Sequence, residues 1–167
     1  NVTIVDEPVG TYGFRSRDIG PGNCLIDSWV RKNSKYKFDR DGLLASSGRT
    51  NKIIYEQAQE LFANSANQNK LSFDTNDFDV SFARGLSLED GAATLTDFTA
   101  RVIGTTLFSL LSVEKNKTWQ VILCGGGRKN KLLIEKIKNN TLKNIFLKSI
   151  DDFGLDGDFI ESQAFAF

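Results

Sequence analysis

The sequence predicts an α/β fold, and two stretches carry most of that prediction. Gln120-Val121-Ile122-Leu123-Cys124 is a short continuous apolar run, as expected of a strand covered on both faces. It enters Gly125-Gly126-Gly127, after which Leu132, Leu133, Ile134 and Ile137 recur at helical spacing. Ile145-Phe146-Leu147 then reads as another strand. Strand, glycine turn, helix and strand make a βαβ unit, the building block of helix-covered sheets.

The other elements follow in order. Val2-Thr3-Ile4-Val5 is a β-branched strand that begins at the start of the chain, as though cut from something longer. Asp6 to Thr11 is turn-like, with Pro8 and Gly10, and Tyr12 to Arg17 is a short strand completing a hairpin. Gly20-Pro21-Gly22 breaks the pattern, and Asn23 is placed to cap a helix bearing Leu25, Ile26, Trp29 and Val30. A polar segment from Asn33 to Asn51 leads to a second amphipathic helix marked by Ile53, Ile54, Ala58, Leu61 and Phe62. Residues 64–79, rich in Asn, Ser and Asp, read as a long surface loop. Ser87, followed by Glu89 and Asp90, starts the longest helix, whose stripe runs through Leu95, Phe98, Val102, Ile103, Leu107, Leu110 and Leu111. That stripe permits burial in the core or a homodimer contact. Phe159 to Phe167 reads as a terminal helix. No internal repeat or linker divides the chain.

Composition narrows the chemistry. The 167 residues suffice for one domain with a sizeable core. Lys and Arg number 21, as do Asp and Glu, and this neutral balance argues against nucleic acid or an acidic membrane as partner. No apolar run reaches the roughly 18 residues of a membrane span, and Asn1-Val2-Thr3 does not open a signal peptide. Histidine is absent, which excludes Ser-His-Asp and Cys-His catalysis and any His-based zinc site within these residues. Cys24 and Cys124 form no CxxC pattern and read as small apolar residues in a reducing compartment, a disulfide between them being the alternative. Acid–base work therefore falls to Asp, Glu, Lys or Tyr.

Asp18-Ile19-Gly20-Pro21-Gly22-Asn23 is the most function-laden stretch. A carboxylate at a strand end projects from the sheet rim, where crevices lie in open α/β folds. Gly20 and Gly22 permit positive φ or close approach by a ligand, and Pro21 fixes the turn between them. The free N–H groups of a helix starting at Asn23 favour an anion. A base beside an anion-tolerant helix start suits phosphoryl transfer. The same residues also read as a structural turn with an Asp cap, which is the plainer account of the loop alone.

A wider pattern weighs against that plainer account. Asp18-Ile19-Gly20-Pro21-Gly22-Asn23-Cys24-Leu25-Ile26-Asp27-Ser28-Trp29 resembles the D-T-G-P-G-N-x-L-I-D-x-W signature of anhydro-N-acetylmuramic acid kinases, members of the actin/hexokinase/Hsp70-like ATPase superfamily. Asp39-Arg40-Asp41-Gly42, Asn76-Asp77-Phe78, Ala93-Thr94-Leu95-Thr96, Cys124-Gly125-Gly126-Gly127 with Asn130, and Gly157-Asp158 with Glu161, Ala164 and Phe165 fall in the family's order. The resemblance implies a ribonuclease H-like/actin-like ATPase lobe with a mixed sheet flanked by helices. Residues 1–167 would be the second, C-terminal lobe of a two-lobe sugar kinase, the N-terminal lobe being absent. It implies a cytoplasmic enzyme of cell-wall recycling, which opens 1,6-anhydro-N-acetylmuramic acid with water and phosphorylates O6 from ATP with Mg²⁺. On that basis Asp18 is the general base, and Gly20, Gly22, Asn23 and Glu161 meet the sugar.

Two departures surround Asp18: Arg17 stands where the family has an aromatic or apolar residue, and Ile19 where it has threonine. A nearby arginine would favour the charged carboxylate and weaken it as a base. The family's early Gly-Thr-Ser-x-Asp-Gly phosphate loop has no counterpart here. Of its second loop, Gly-Gly-Ile-x-Asn, only a tail remains at Asn1-Val2-Thr3. The expectation is a fragment without kinase activity that binds ATP weakly at best. A stand-alone nucleotide- or sugar-binding module is the alternative. An Hsp70-like chaperone would need a peptide-binding domain after residue 167, whereas Ala164-Phe165-Ala166-Phe167 resembles the kinase's last helix.

Gly125-x-Gly127-x-x-Asn130 nearly spells a dinucleotide fingerprint, but the sixth position is Asn and no acidic residue follows in the expected second-strand setting. A tight strand-to-helix turn accounts for these residues equally well. Under the family resemblance, Gly125, Gly126, Gly127 and Asn130 receive the adenosine of ATP, with Arg128 or Lys129 reaching its ribose or phosphates.

Overall fold

The computed structural model describes residues 1–5, 13–66, 80–112 and 117–160, together with Ser162 and Ala166. Its elements are β1 (Val2–Val5), β2 (Phe14–Arg17), α1 (Cys24–Asn33), α2 (Leu43–Ser47), α3 (Lys52–Ala66), α4 (Leu88–Leu111), β3 (Trp119–Leu123), α5 (Lys131–Asn139) and β4 (Ile145–Ser149).

Helix α4 organises the fold. Ser87 caps it by accepting from the Asp90 N–H at 3.1 Å, and Glu89 and Asp90 place negative charge at its positive end. Ala92, Leu95, Phe98, Ala100, Val102, Leu107 and Leu111 are buried, and α1, α2, α3 and α5 all pack against this helix. Its apolar stripe is therefore spent largely within the core. Two glycines let neighbours approach: a Cβ on Gly91 would lie 2.2 Å from the Trp29 ring, and one on Gly104 would lie 2.6 Å from Asn140 Cβ.

The expected βαβ unit is present. β3 runs parallel to β4 with Trp119 opposite Ile145 and Leu123 opposite Ser149, and α5 makes the crossover. β3 is not covered on both faces, however: Gln120 and Ile122 are exposed while their neighbours are half-buried. β1 and β2 form the expected hairpin pairing, antiparallel, with Val2 opposite Arg17 and Ile4 opposite Arg15.

The single mixed sheet does not form among the described residues, which make two two-stranded sheets instead. A cleft of about 790 Å³ lies between β1 and β3, with Leu111 also in its wall. Consecutive residues line it, Asn1 to Val5 on one side and Trp119 to Ile122 on the other. Side chains alternate faces along a strand, so an unbroken run of lining residues means that the strand edges, not their faces, look onto the cleft.

Two further expectations change. The polar stretch before α3 holds a 3₁₀ turn at Arg40–Gly42 and the short helix α2. Helix α3 runs through Ala66, into the expected loop, whose remainder (67–79) lies outside the described residues. Of the terminal helix, Ile160, Ser162 and Ala166 are helical and residues 161, 163–165 and 167 lie outside the description. Among the described residues no helix is long and apolar enough to cross a membrane.

Candidate functional site

Asp18 leaves the end of β2 half-buried. Arg17 precedes it as the last residue of β2, exposed and paired in register with Val2. Ile19 is 9% exposed and joins the core. A side chain committed to the core is not available to a ligand, so the missing threonine hydroxyl is replaced by apolar packing. Gly20 is pressed onto α4, where a Cβ would meet Ile103 Cγ1 at 3.0 Å and Val102 Cγ1 at 3.1 Å. Gly22 differs: its φ of +55° calls for glycine, yet nothing lies within 4 Å of its absent Cβ.

Asn23 overturns one expectation. Its backbone is already helical (φ −79°, ψ −7°), and its side chain makes no capping bond to α1. The first turn is closed by backbone alone, with the Cys24 N–H donating to the Pro21 carbonyl at 3.1 Å and the Asp27 N–H to the Asn23 carbonyl at 2.8 Å. Asn23 Oδ1 is buried without a hydrogen-bond partner. A buried orphan acceptor costs about 1–3 kcal/mol, and such a cost calls for an explanation.

Asp27, one turn into α1, is a residue that sequence reasoning passed over. Burial raises its pKa, the Arg31 charge partly offsets that, and Asp39 raises it further. Its place in the signature was visible, but its desolvation was not.

The glycine turn is built differently. Gly125 takes φ +73°, which glycine alone accepts readily, and a 3₁₀ turn covers Gly126–Lys129. Nothing lies within 4 Å of the absent Cβ of Gly125, Gly126 or Gly127. Asn130 is 3% exposed and caps α5, its Oδ1 accepting from the Leu133 N–H at 3.1 Å. That oxygen would also lie 2.7 Å from a Cβ on Gly42, whose φ is +78°. Asn130 thus fixes where the turn meets its helix.

Arg128 does not point to a ligand. Its Nε and Nη2 donate to the two Asp151 oxygens at 2.6 and 2.9 Å, and its Nη1 donates to Asp158 Oδ1 at 2.6 Å and to the Gly125 carbonyl at 2.9 Å. The side chain is 4% exposed. The hydrogen bonds from Arg128 hold Asp151 well below the usual carboxylate range, helped by Ser149 and the Gly157 N–H. Arg128 and then Lys129 lower Asp158 likewise. Lys129, although exposed, pairs with Asp158, so carboxylates occupy both cations.

Other signature residues serve the scaffold. Asp39 is 4% exposed and accepts from the Leu44 and Ala45 N–H groups at 2.8 and 3.1 Å, capping α2. Asp41 holds a positive φ of 56° beside Lys131 Nζ at 3.6 Å. Buried Thr94 accepts from the Asn51 N–H at 3.0 Å and donates to the Asp90 carbonyl at 2.7 Å. Glu161 and Asn76-Asp77-Phe78 lie outside the described residues. Cys24 and Cys124 are both free and exposed, contrary to their reading as apolar filler.

The cleft between β1 and β3 ends at Cys124 and Gly125, and Asp18, Gly20, Gly22 and Asn23 are not among its lining. Among the described residues no group of three or more Cys, Asp or Glu is arranged to hold a metal ion, and Asp151 and Asp158 are taken by the guanidinium.

Comparison with known proteins gives this arrangement a context. The family model described as anhydro-N-acetylmuramic acid kinase matches residues 1–167. An anhydro-N-acetylmuramic acid kinase of Pelagibacter ubique is 49% identical over 167 residues, covering 100% of this chain and 44% of its own length. Those of Zymomonas mobilis and Rhodospirillum rubrum are 35% identical over 152 residues and 36% identical over 169 residues, covering 90% and 100% of this chain and 39% and 42% of their own lengths. The chain spans less than half the length of these relatives.

Proposed function

This chain belongs to the family of anhydro-N-acetylmuramic acid kinases, and from that premise we propose that residues 1–167 are the sugar-activating C-terminal lobe of a two-lobe kinase with a ribonuclease H-like/actin-like ATPase fold. The observation that carries the reading is the turn from Asp18 to Asn23. A half-buried carboxylate at a strand end stands five residues from a buried, unpaired amide oxygen, with an open left-handed glycine between them.

In this reading the Asp18 carboxylate takes a proton from a water that attacks the anomeric carbon of 1,6-anhydro-N-acetylmuramic acid. The C1–O6 bond breaks, O6 receives the phosphoryl group and ADP departs. ATP supplies that group, with Mg²⁺ on its phosphates. Among the described residues no three acidic or sulfur side chains gather around one point, and no step here depends on a protein ligand to the metal. Asn23 Oδ1 accepts a sugar hydroxyl, which supplies its missing partner. Gly20 and Gly22 let the backbone turn beside the sugar, Gly20 being held against α4. Glu161 provides a second carboxylate on the sugar side.

At the other loop, the open faces of Gly125, Gly126 and Gly127 receive the adenosine, and Asn130 fixes their helix. Ile19 supports Asp18 from the core. The site is cytoplasmic in this reading. Residues 1–167 alone lack turnover, because phosphoryl transfer needs donors on both sides of the triphosphate. Turnover of anhydro-sugar by the isolated chain would refute that last statement.

The test of the reading is calorimetric titration and turnover in a family-length form bearing these residues, with and without Asp18→Asn. Loss of a general base lowers kcat by about 10²–10⁴ with sugar binding retained. Unchanged kcat would remove Asp18 from the chemistry.

A further inference from the structure

We propose that Arg128 is a positioning residue for the nucleotide: it clamps the Gly125–Gly127 turn to the segment 151–158 and neutralises the carboxylates there, without itself touching ATP. The inference rests on the kinase reading above for its ligand, but its geometry stands without it.

Four hydrogen bonds leave one guanidinium. Two run to Asp151, one to Asp158, and the fourth to the carbonyl of Gly125, the residue that opens the turn. The turn is tied back a second time, because the Gly125 N–H donates to the Gly157 carbonyl at 2.9 Å. Gly157 leaves no room for a side chain: a Cβ there would fall 2.4 Å from Arg128 Nε and 2.7 Å from Ile150 Cγ2. The Gly157 N–H donates in turn to Asp151 Oδ1 at 3.1 Å. Ser149 completes the knot, its hydroxyl donating to Asp151 Oδ2 at 2.7 Å.

Such a knot answers two needs of the turn. Gly125, Gly126 and Gly127 have no side chains to hold them in place, and glycine is the most freely moving backbone. Something outside the turn must hold it if bare backbone is to meet a flat ligand. Asp151, Asp156 and Asp158 also crowd this end of β4, with Asp156 Oδ1 3.9 Å from Arg128 Nη2. Left unpaired, they would repel the phosphates of a nucleotide on the turn. A planar fork with five donors can make all four of these hydrogen bonds at once, and an ammonium with three donors cannot.

Arg128→Lys, which keeps the charge, and Arg128→Met, which keeps only the bulk, separate the two roles. In a family-length form, both variants should raise KM for ATP by about tenfold or more, leaving KM for the sugar within about twofold and kcat little changed. Asp151→Asn and Asp158→Asn added to Arg128→Met should recover part of the loss, since no orphaned carboxylate then faces the phosphates. In the 167-residue chain, both single variants should speed hydrogen exchange at the Gly125 amide. If ATP KM stays at the wild-type value in both variants while the parent turns over, the positioning role is wrong. If the parent shows no ATP-dependent turnover, the kinase reading fails instead. The clamp then stands or falls on the Gly125 amide, and exchange unaltered in Arg128→Met overturns it.

Discussion

The Trp29 indole lies directly over Gly91, where a Cβ would sit 2.2 Å from the ring, and its Nε1 donates to the Leu88 carbonyl at 2.9 Å. Trp29 belongs to α1, which begins where the Asp18 turn ends, and Gly91 lies in the first turns of α4. The contact therefore sets how the helix behind the candidate base sits on the central helix. Glycine inside a helix costs roughly 1 kcal/mol relative to alanine. Here that cost accompanies a close approach of α1 to α4.

Gly91→Ala should consequently destabilise the chain, although alanine is the better helix former. The methyl group must push the ring aside or shift α1, an overpacking cost of about 1–3 kcal/mol. Equilibrium urea unfolding measures the difference. A variant as stable as the parent would show that α1 yields freely, and with it the placement of Asp18.

Asn23 offers a sign that separates a ligand-facing residue from a cap. Replacing an ordinary Asn cap by Ala costs about 0.5–2 kcal/mol. Asn23 makes no capping bond, and its Oδ1 is buried without a partner. Asn23→Ala should therefore leave stability unchanged or raise it by about 1 kcal/mol. In a family-length form it should weaken sugar binding by about tenfold. Thermal unfolding and calorimetric titration read the two effects separately. Destabilisation by a full cap's worth would return Asn23 to a structural role.

These outcomes also mark what the sequence could and could not disclose. The α4 stripe and its Ser87 cap are local signals, and they appear where periodicity puts them. The parallel β3–β4 pair follows from a strand, a glycine turn and a helix in order. Helix α2 escapes because five residues are too few for a period to show. At Asn23 the sequence does not separate a cap from an uncapped turn, because the residue type is the same whether or not its oxygen finds an N–H. The partners of Arg128, Asp151 and Asp158, stand 23 and 30 residues away, beyond any local pattern, so its clamp is not legible in the sequence. The separation of β1 from β3 is a distance between elements, and neither strand's sequence records it.

Acid should distinguish two kinds of carboxylate in this chain by opposite trends. Asp151 and Asp158 have folded-state pKa values below their ordinary ones, set first by Arg128. Their contribution to stability is complete above the ordinary carboxylate pKa and is lost as pH falls through the depressed folded values. Asp27 is raised, chiefly by burial. Its charged form burdens the folded state above that raised pKa, and the burden lifts as pH falls through it. Asp151→Asn should therefore be less stable than the parent at pH about 7, with the gap closing only in strongly acid solution. Asp27→Asn should be at least as stable as the parent at neutral pH, and any advantage should vanish as pH falls through that raised pKa and the parent's own carboxyl becomes neutral. Denaturant midpoints of the three proteins across pH test both trends together. A gap for Asp151→Asn that closed already near the ordinary carboxylate pKa would mean that the Arg128 knot does not hold its aspartate ionised.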